Sequence, residues 1–241
     1  AEKYIAGASK NGTWVLLRNV HLCPSYMITL EKKFHSLKPH LNFRLFLTAE
    51  INEKLPTSLL RMSQTFVYEP PAGIKASLTR SLSNMNEKRM NSEPTERSRL
   101  YFLLAWFHAT VIERLQYVPV GWSKTYEFSE TDLQCALSSF DGWIDGVAKG
   151  RSHVDPEEIP WDALHAMLGQ SLYGGRVDNE FDQRLLDSFV RRLFCVESFG
   201  SSFELAEGVK GPEGTKKKQF VQWVDALPNK NSPTWLGLPG T

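Results

Sequence analysis

The stretch GTWVLLRNVHL, Gly12 to Leu22, decides how the rest of the chain is read. Trp14, Val15, Leu16 and Leu17 form an unbroken apolar run between the turn residues KNG and Pro24, the pattern of a parallel strand covered on both faces. A strand of that kind delivers its C-terminal residues to a ligand crevice. Many nucleotide-hydrolysing proteins place two acids there, one to hold Mg²⁺ and one to help position the attacking water. Here Arg18 and Asn19 follow the strand, and a cation and an amide perform neither task.

Working outward, Pro24 suits the first turn of a helix, and Met27, Leu30, Phe34 and Leu37 recur at helical spacing until Pro39 stops it. NFRLFLT, Asn42 to Thr48, reads as a second buried strand. The order strand, helix, strand places the two strands in parallel as a βαβ unit. Two strands do not make a stable sheet in water. The remaining strands are expected from residues outside this sequence or from a neighbour, so the chain reads as a piece of something larger. AEKYIAGASKNG at the start lacks the apolar core of a secretory signal.

From Thr57 the character changes. TSLLRMSQ reads as a short helix capped by Thr57, TFVYE as extended chain, and PPAG as a boundary near Pro70 and Pro71. Beyond it the pattern is helical. Ile74, Leu78, Leu82 and Met85 share one face, NEKRMNSEPT is expected to be a loop, and Glu96 to Tyr117 forms a long helix apolar almost all round. Such a helix belongs at the centre of a bundle, with Leu103, Leu104, Trp106, Phe107 and Val111 buried. Ser129 and Asp132 have the spacing of a capping box before Leu133, Leu137, Phe140 and Ile144. IPWDALHAML, FDQRLLDSFVRRLF and KKKQFVQWVDAL supply three more helices. The predicted fold class is therefore an α/β fragment followed by an α-helical bundle, mostly α overall.

The 241 residues are 41% hydrophobic and 23% charged, with 28 Lys and Arg against 27 Asp and Glu. That composition is globular, and the balanced charge supplies no electrostatic footprint for nucleic acid or an acidic membrane. LYFLLAWFHATVI, Leu100 to Ile112, is the most apolar segment but only about two-thirds of the length that crosses a bilayer. Cys23, Cys135 and Cys195 lie far apart, which favours free thiols in a reducing compartment.

The chemistry-bearing motifs are sparse. No G-x-x-x-x-G-K-[ST] phosphate loop occurs in the sequence. GVKGPEGTKKK, Gly208 to Lys218, has the wrong spacing and is expected to be a surface loop that follows no strand. The histidines, His21, His35, His40, His108, His153 and His165, form no H-x-x-x-H pair and no Cys/His cluster, so no metal site is expected. His108, inside the most apolar helix, reads as a hydrogen-bonded core residue. His21 and Cys23 lack an evident orienting acid for nucleophilic chemistry. LYGGRVDNEFDQRLL, Leu172 to Leu186, places Gly174 and Gly175 at a helix end, where they permit a left-handed turn, and Asp178 or Asn179 before the next helix as a cap. Arg176 on that joint is aimed either at a partner or a phosphate, or, if the stretch is only a helix-turn-helix joint, at an acid near it in sequence, such as Asp178, Glu180 or Asp182.

GTWVLLRNVHL, FRLFLTAEIN, YFLLAWFHA, GWSKTYEF, IPW, YGGRVDNEFDQRLL and the closing WLGLP together, in order and nearly end to end, resemble the dynein heavy chain family, specifically its sixth AAA+ module, and the cytoplasmic type more than the axonemal. The resemblance implies that residues 1–70 are the C-terminal part of the module's large α/β subdomain, that 71–228 form its helical small subdomain or lid, and that 229–241 begin a C-terminal extension. WVLL then corresponds to the Walker B strand, with Arg18 and Asn19 in place of its acids. Thr48, Glu50 and Asn52 fall in the sensor 1 region. LLRMSQ resembles the arginine-finger stretch L-L-R-x-G-R, with Arg61 at the first arginine and Gln64 at the second. Gly174, Gly175 and Arg176 form a sensor 2-like or interface position.

The same resemblance implies a non-catalytic module that neither binds nor hydrolyses nucleotide, within a heavy chain that uses ATP and Mg²⁺ at other modules to move toward microtubule minus ends in the cytoplasm. Its partners would be the neighbouring modules of the same chain, with microtubules and other dynein subunits reached through the parent, and neither nucleic acid nor membrane. The alternative from the helical pattern alone is a stand-alone adaptor domain unrelated to ATPases.

Overall fold

The computed structural model describes residues 1–69 and 71–239, which divide into two compact units, Ala1–Glu69 and Pro70–Thr241. In the first, α1 (Glu2–Asn11) leads into β1 (Trp14–Leu17), α2 (Pro24–Ser36), β2 (Arg44–Leu47) and α3 (Thr57–Met62). β1 and β2 pair in parallel from Trp14 opposite Arg44 to Leu17 opposite Leu47. Pro24 sits in the first turn of α2, where its missing N–H costs nothing. Gly12 ends α1 in the left-handed region at φ 70°. A Cβ there would also meet the His40 ring at 2.4 Å, so glycine serves both the turn and the approach.

The two strands alternate rather than burying both faces. Val15, Leu17 and Leu47 pack with Ile5, Val20, Met27, Leu30 and Leu59, whereas Trp14 is 70% and Phe46 47% exposed. Trp14 and Phe46 lie on each other with ring centroids 5.4 Å apart. Within this unit, then, one sheet face is covered and the other is open, which corrects the expectation drawn from the unbroken apolar run. An apolar run states what a strand tolerates on each face, not what its own unit supplies. α3 differs in its start: Pro56 is the cap residue and no side chain caps the helix, so Thr57 is inside the first turn. α1 itself was not expected, because only Ile5, Ala8 and Ser9 are buried along it.

The second unit is a helical bundle: α4 (Ile74–Asn84), α5 (Glu87–Met90), α6 (Glu96–Glu113), α7 (Glu130–Ala148), α8 (Trp161–Ala166), α9 (Glu180–Leu193) and α10 (Lys217–Ala226). α6 is its axis. Leu103, Leu104, Phe107 and Val111 are fully buried and Trp106 is 1% exposed, as an all-apolar helix requires. Phe102 stacks on Phe220 at 4.9 Å, and Trp106 meets Trp223 at 6.1 Å and Trp235 at 6.3 Å. The α-helical hydrogen bonding ends at Glu113 and continues as a 3-10 turn through Tyr117. At the start of α7 Asp132 Oδ2 accepts from Ser129 N at 2.8 Å and from the Ser129 hydroxyl at 3.1 Å, tying the two residues of the expected capping box together.

Three features depart from the sequence reading. The expected loop 86–95 contains α5, capped by Asn86, whose side chain accepts from Lys88 N at 2.9 Å, and Met90 anchors it in the core. A hairpin of β3 (Glu204–Ala206) and β4 (Val209–Lys210) turns at Gly208, so the GVKGPEGTKKK stretch does follow a strand and includes one. It is the turn of an antiparallel pair, not a strand-to-helix phosphate loop. Residues 167–172 form a π-helical turn that continues α8. The tail beyond 228 packs Trp235 and Leu236 into the same core. Buried Glu113 accepts from Gly73 N at 2.8 Å and from Asn231 Nδ2 at 2.9 Å, while Asn231 Oδ1 accepts from Ile74 N at 3.1 Å.

Candidate functional site

The C-terminal end of β1 is built from two strands that finish side by side. Thr48 N donates to Leu17 O at 3.0 Å, Val20 N donates to Thr48 O at 2.9 Å, and Asn19 N donates to Thr48 Oγ1 at 3.0 Å. Asn19 is held in the left-handed region at φ 56°, a conformation that asparagine adopts more readily than most residues. One step further, Glu50 N donates to His21 Nδ1 at 3.1 Å. Nδ1 is thus an acceptor, and the other ring nitrogen, Nε2, faces Glu50 Oε2 at 3.7 Å.

The strand end thus brings Arg18, Asn19, Thr48 and Glu50 into one region, with His21 as a fifth member. Three of its backbone donors, Asn19 N, Val20 N and Glu50 N, are engaged by Thr48 and His21. Arg18 is exposed there and places a cation at the strand end. Asn52 is exposed and accepts from Lys54 N of its own loop at 2.9 Å. Arg61 is in the last turn of α3 and Gln64 follows it, both exposed. The role of His21 was not read from the sequence. Its separation of two from Asn19 was visible, but its partner is 29 positions away.

Gly174, Gly175 and Arg176 lie in the second unit as a 3-10 turn. Neither glycine has positive φ, so the expected left-handed turn is corrected. The requirement is space: a Cβ on Gly174 would overlap the Gly169 carbonyl oxygen, which also accepts from Gln183 Nε2. Asn179, and not Asp178, caps α9, accepting from Phe181 N at 2.9 Å. Arg176 donates from Nε at 3.1 Å and Nη2 at 2.6 Å to Asp132 Oδ1. Asp132 Oδ2 meanwhile accepts from Ser129 N at 2.8 Å. The arginine therefore grips the capping residue of α7.

His108 is a core residue. Its Nδ1 lies 2.9 Å from the Tyr173 hydroxyl. Burial pushes its pKa down to about 4, against a smaller upward pull from Glu130 and Asp132. The three cysteines are free, and burial raises the Cys195 thiol. Among the described residues no group of His, Cys, Asp and Glu is arranged to hold a metal ion, and no helix is long and apolar enough to cross a membrane.

Comparison with known proteins assigns both units. The family model described as "Dynein heavy chain region D6 P-loop domain" matches residues 1–67, and "Dynein heavy chain AAA lid domain" matches residues 97–241. Among similar proteins, "Dynein heavy chain, cytoplasmic" of Drosophila melanogaster is 53% identical over 249 residues and that of Dictyostelium discoideum 53% over 241, each match covering 99% of this chain. "Cytoplasmic dynein 2 heavy chain 1" of Tripneustes gratilla is 38% identical over 237 residues, 96% of this chain. The chain spans 5% of the length of each of these relatives. With its α/β fragment matched by the D6 region and its helical bundle from residue 97 onward by the lid, the chain belongs to the dynein heavy chain family.

Proposed function

We propose that this chain is a non-catalytic module of the AAA+ ring of a cytoplasmic dynein heavy chain, and that its work is mechanical. It completes the ring and passes rearrangements between neighbouring modules while ATP is bound with Mg²⁺ and hydrolysed at other modules. The parent chain is then an ATPase that moves along cytoplasmic microtubules toward their minus ends, and this module meets microtubules and other dynein subunits only through that parent. The names of the relatives support the motor reading, and the family match favours it over a stand-alone helical adaptor.

The observation that carries the non-catalytic part is the end of β1. Arg18 and Asn19 follow the strand, and on this reading they stand where hydrolysis needs carboxylates; the Asn19 N–H is already donated to Thr48 Oγ1 at 3.0 Å. Substituting a positive charge for a Mg²⁺ ligand opposes both metal binding and water activation. Isothermal titration calorimetry of the 241-residue chain with Mg²⁺-ATP and Mg²⁺-ADP tests this. No saturable heat is expected; micromolar binding that disappears in Arg18→Glu or Thr48→Val variants would overturn the proposal.

A further inference from the structure

The lid contains a solvent-open cavity of about 240 Å³, walled by segments 199–201 and 211–215 and by the first turn of α6. Arg99 from that turn lies between these walls, only 9% exposed. Its Nε and Nη2 donate to Ser198 O at 3.0 and 2.8 Å, and its Nη1 donates to Pro212 O. These three bonds go to neutral carbonyls and leave two of the five guanidinium N–H groups without an acceptor among the described residues. Among the described residues no carboxylate forms an ion pair with Arg99. Burial alone lowers its pKa, with no acid pulling the other way. A guanidinium stays protonated even so, and a buried cation without a counter-charge is a costly arrangement that an anion relieves.

The walls narrow the class of anion. Glu96 is committed within the fold: its Oε1 accepts from the Thr95 hydroxyl at 3.1 Å and its Oε2 from Val154 N at 3.1 Å. Glu213 is exposed beside the cavity. Two carboxylates on the walls penalise a dianion more than a monoanion. Phe199 adds an apolar wall suited to a short carbon chain. The site also depends on Gly211, where a Cβ would lie 2.6 Å from Arg99 Nη2; the absent side chain is what admits the guanidinium.

We propose that this cavity binds a carboxylate, taken up by the two free N–H groups of Arg99 with its carbon chain against Phe199. The carboxylate belongs either to an acidic side chain of another polypeptide segment or to a small organic acid. The site is independent of the strand end and of nucleotide.

The test is NMR of the 241-residue chain, following the Arg99 Nε–H resonance. Acetate, the α-amide of N-acetylglutamate and inorganic phosphate are added separately at one ionic strength, with sodium chloride as the reference. Saturable shifts with a dissociation constant on the order of 10 mM are expected for a carboxylate, with phosphate roughly tenfold weaker. A response to the glutamate derivative identifies an acidic side chain as the natural source; a response to acetate alone identifies a small acid. Because Arg99→Gln risks unfolding the two segments it ties, Thr215→Glu is the second variant. It supplies a carboxylate from the cavity wall and should abolish the response in a folded chain. The proposal is overturned if neither carboxylate gives a saturable shift, if phosphate binds more tightly, or if folded Thr215→Glu responds like the parent.

Discussion

Acidification should destabilise the lid through His108 in a way that a single substitution isolates. In the folded chain its pKa is about 4, against 6.5 for an exposed imidazole, because burial excludes the charged form. Between those values the unfolded chain binds the proton and the folded chain does not, so stability falls as pH falls through the window. A separation of about 2.5 units amounts to on the order of 3 kcal/mol between pH 7.5 and pH 4, of which about 2 kcal/mol is already lost at pH 5. Carboxylates titrate in the same range, so the parent must be compared with His108→Gln, which retains a partner for the Tyr173 hydroxyl but does not titrate. Urea unfolding at pH 7.5, 6, 5 and 4.5, read from the near-UV signal of the lid tryptophans, gives the difference directly. The parent should lose about 2 kcal/mol more than the variant between pH 7.5 and 5. A difference that stays constant across these pH values would mean that His108 titrates alike in both states and that its burial does not exclude the proton.

Two further outcomes are expected. Trp106→Ala, which empties the space between Trp223 and Trp235, should cost about 3–5 kcal/mol in urea unfolding; an unchanged melting temperature would place α6 at the periphery instead of the axis. Arg176→Ala should cost only about 1 kcal/mol in the isolated chain, because its side chain is 39% exposed. We propose in addition that Arg176 couples the lid to an adjacent module; on that reading Arg176→Ala in a full-length dynein heavy chain should lower microtubule-stimulated ATP turnover without changing nucleotide affinity at the modules that bind ATP, whereas untouched turnover would leave Arg176 a local structural residue.

The legible parts of the fold were those fixed by local rules. An apolar helix with no polar face must be central, so α6 and its buried Trp106 follow from composition alone. The start of α7 follows from two side chains three positions apart. What was not legible depended on distant residues. The π-helical turn at 167–172 is accompanied by Gly174 lying against the Gly169 carbonyl and by Gln183 reaching back to that oxygen. The α5 turn depends on Met90 finding the core, and β3 and β4 were too short to produce a visible alternation.

The same distinction governs the candidate site residues. That Arg18 and Asn19 end a strand is written in the sequence, whereas the threonine that closes around them is fixed by the register of β1 on β2. Arg176 is more instructive, since three acids close to it in sequence were the natural partners. Each is engaged elsewhere: Asp178 with Lys124, Glu180 with Arg184, and Asp182 with Ser123 N at 3.0 Å and the Tyr126 hydroxyl at 2.7 Å. Arg176 is left to Asp132, 44 positions away, which also caps α7. Any neighbouring surface that competed for Arg176 would therefore act on the start of α7 through Asp132. The coupling proposed for Arg176 thus has a physical route inside the lid, through a carboxylate whose other oxygen holds a helix end.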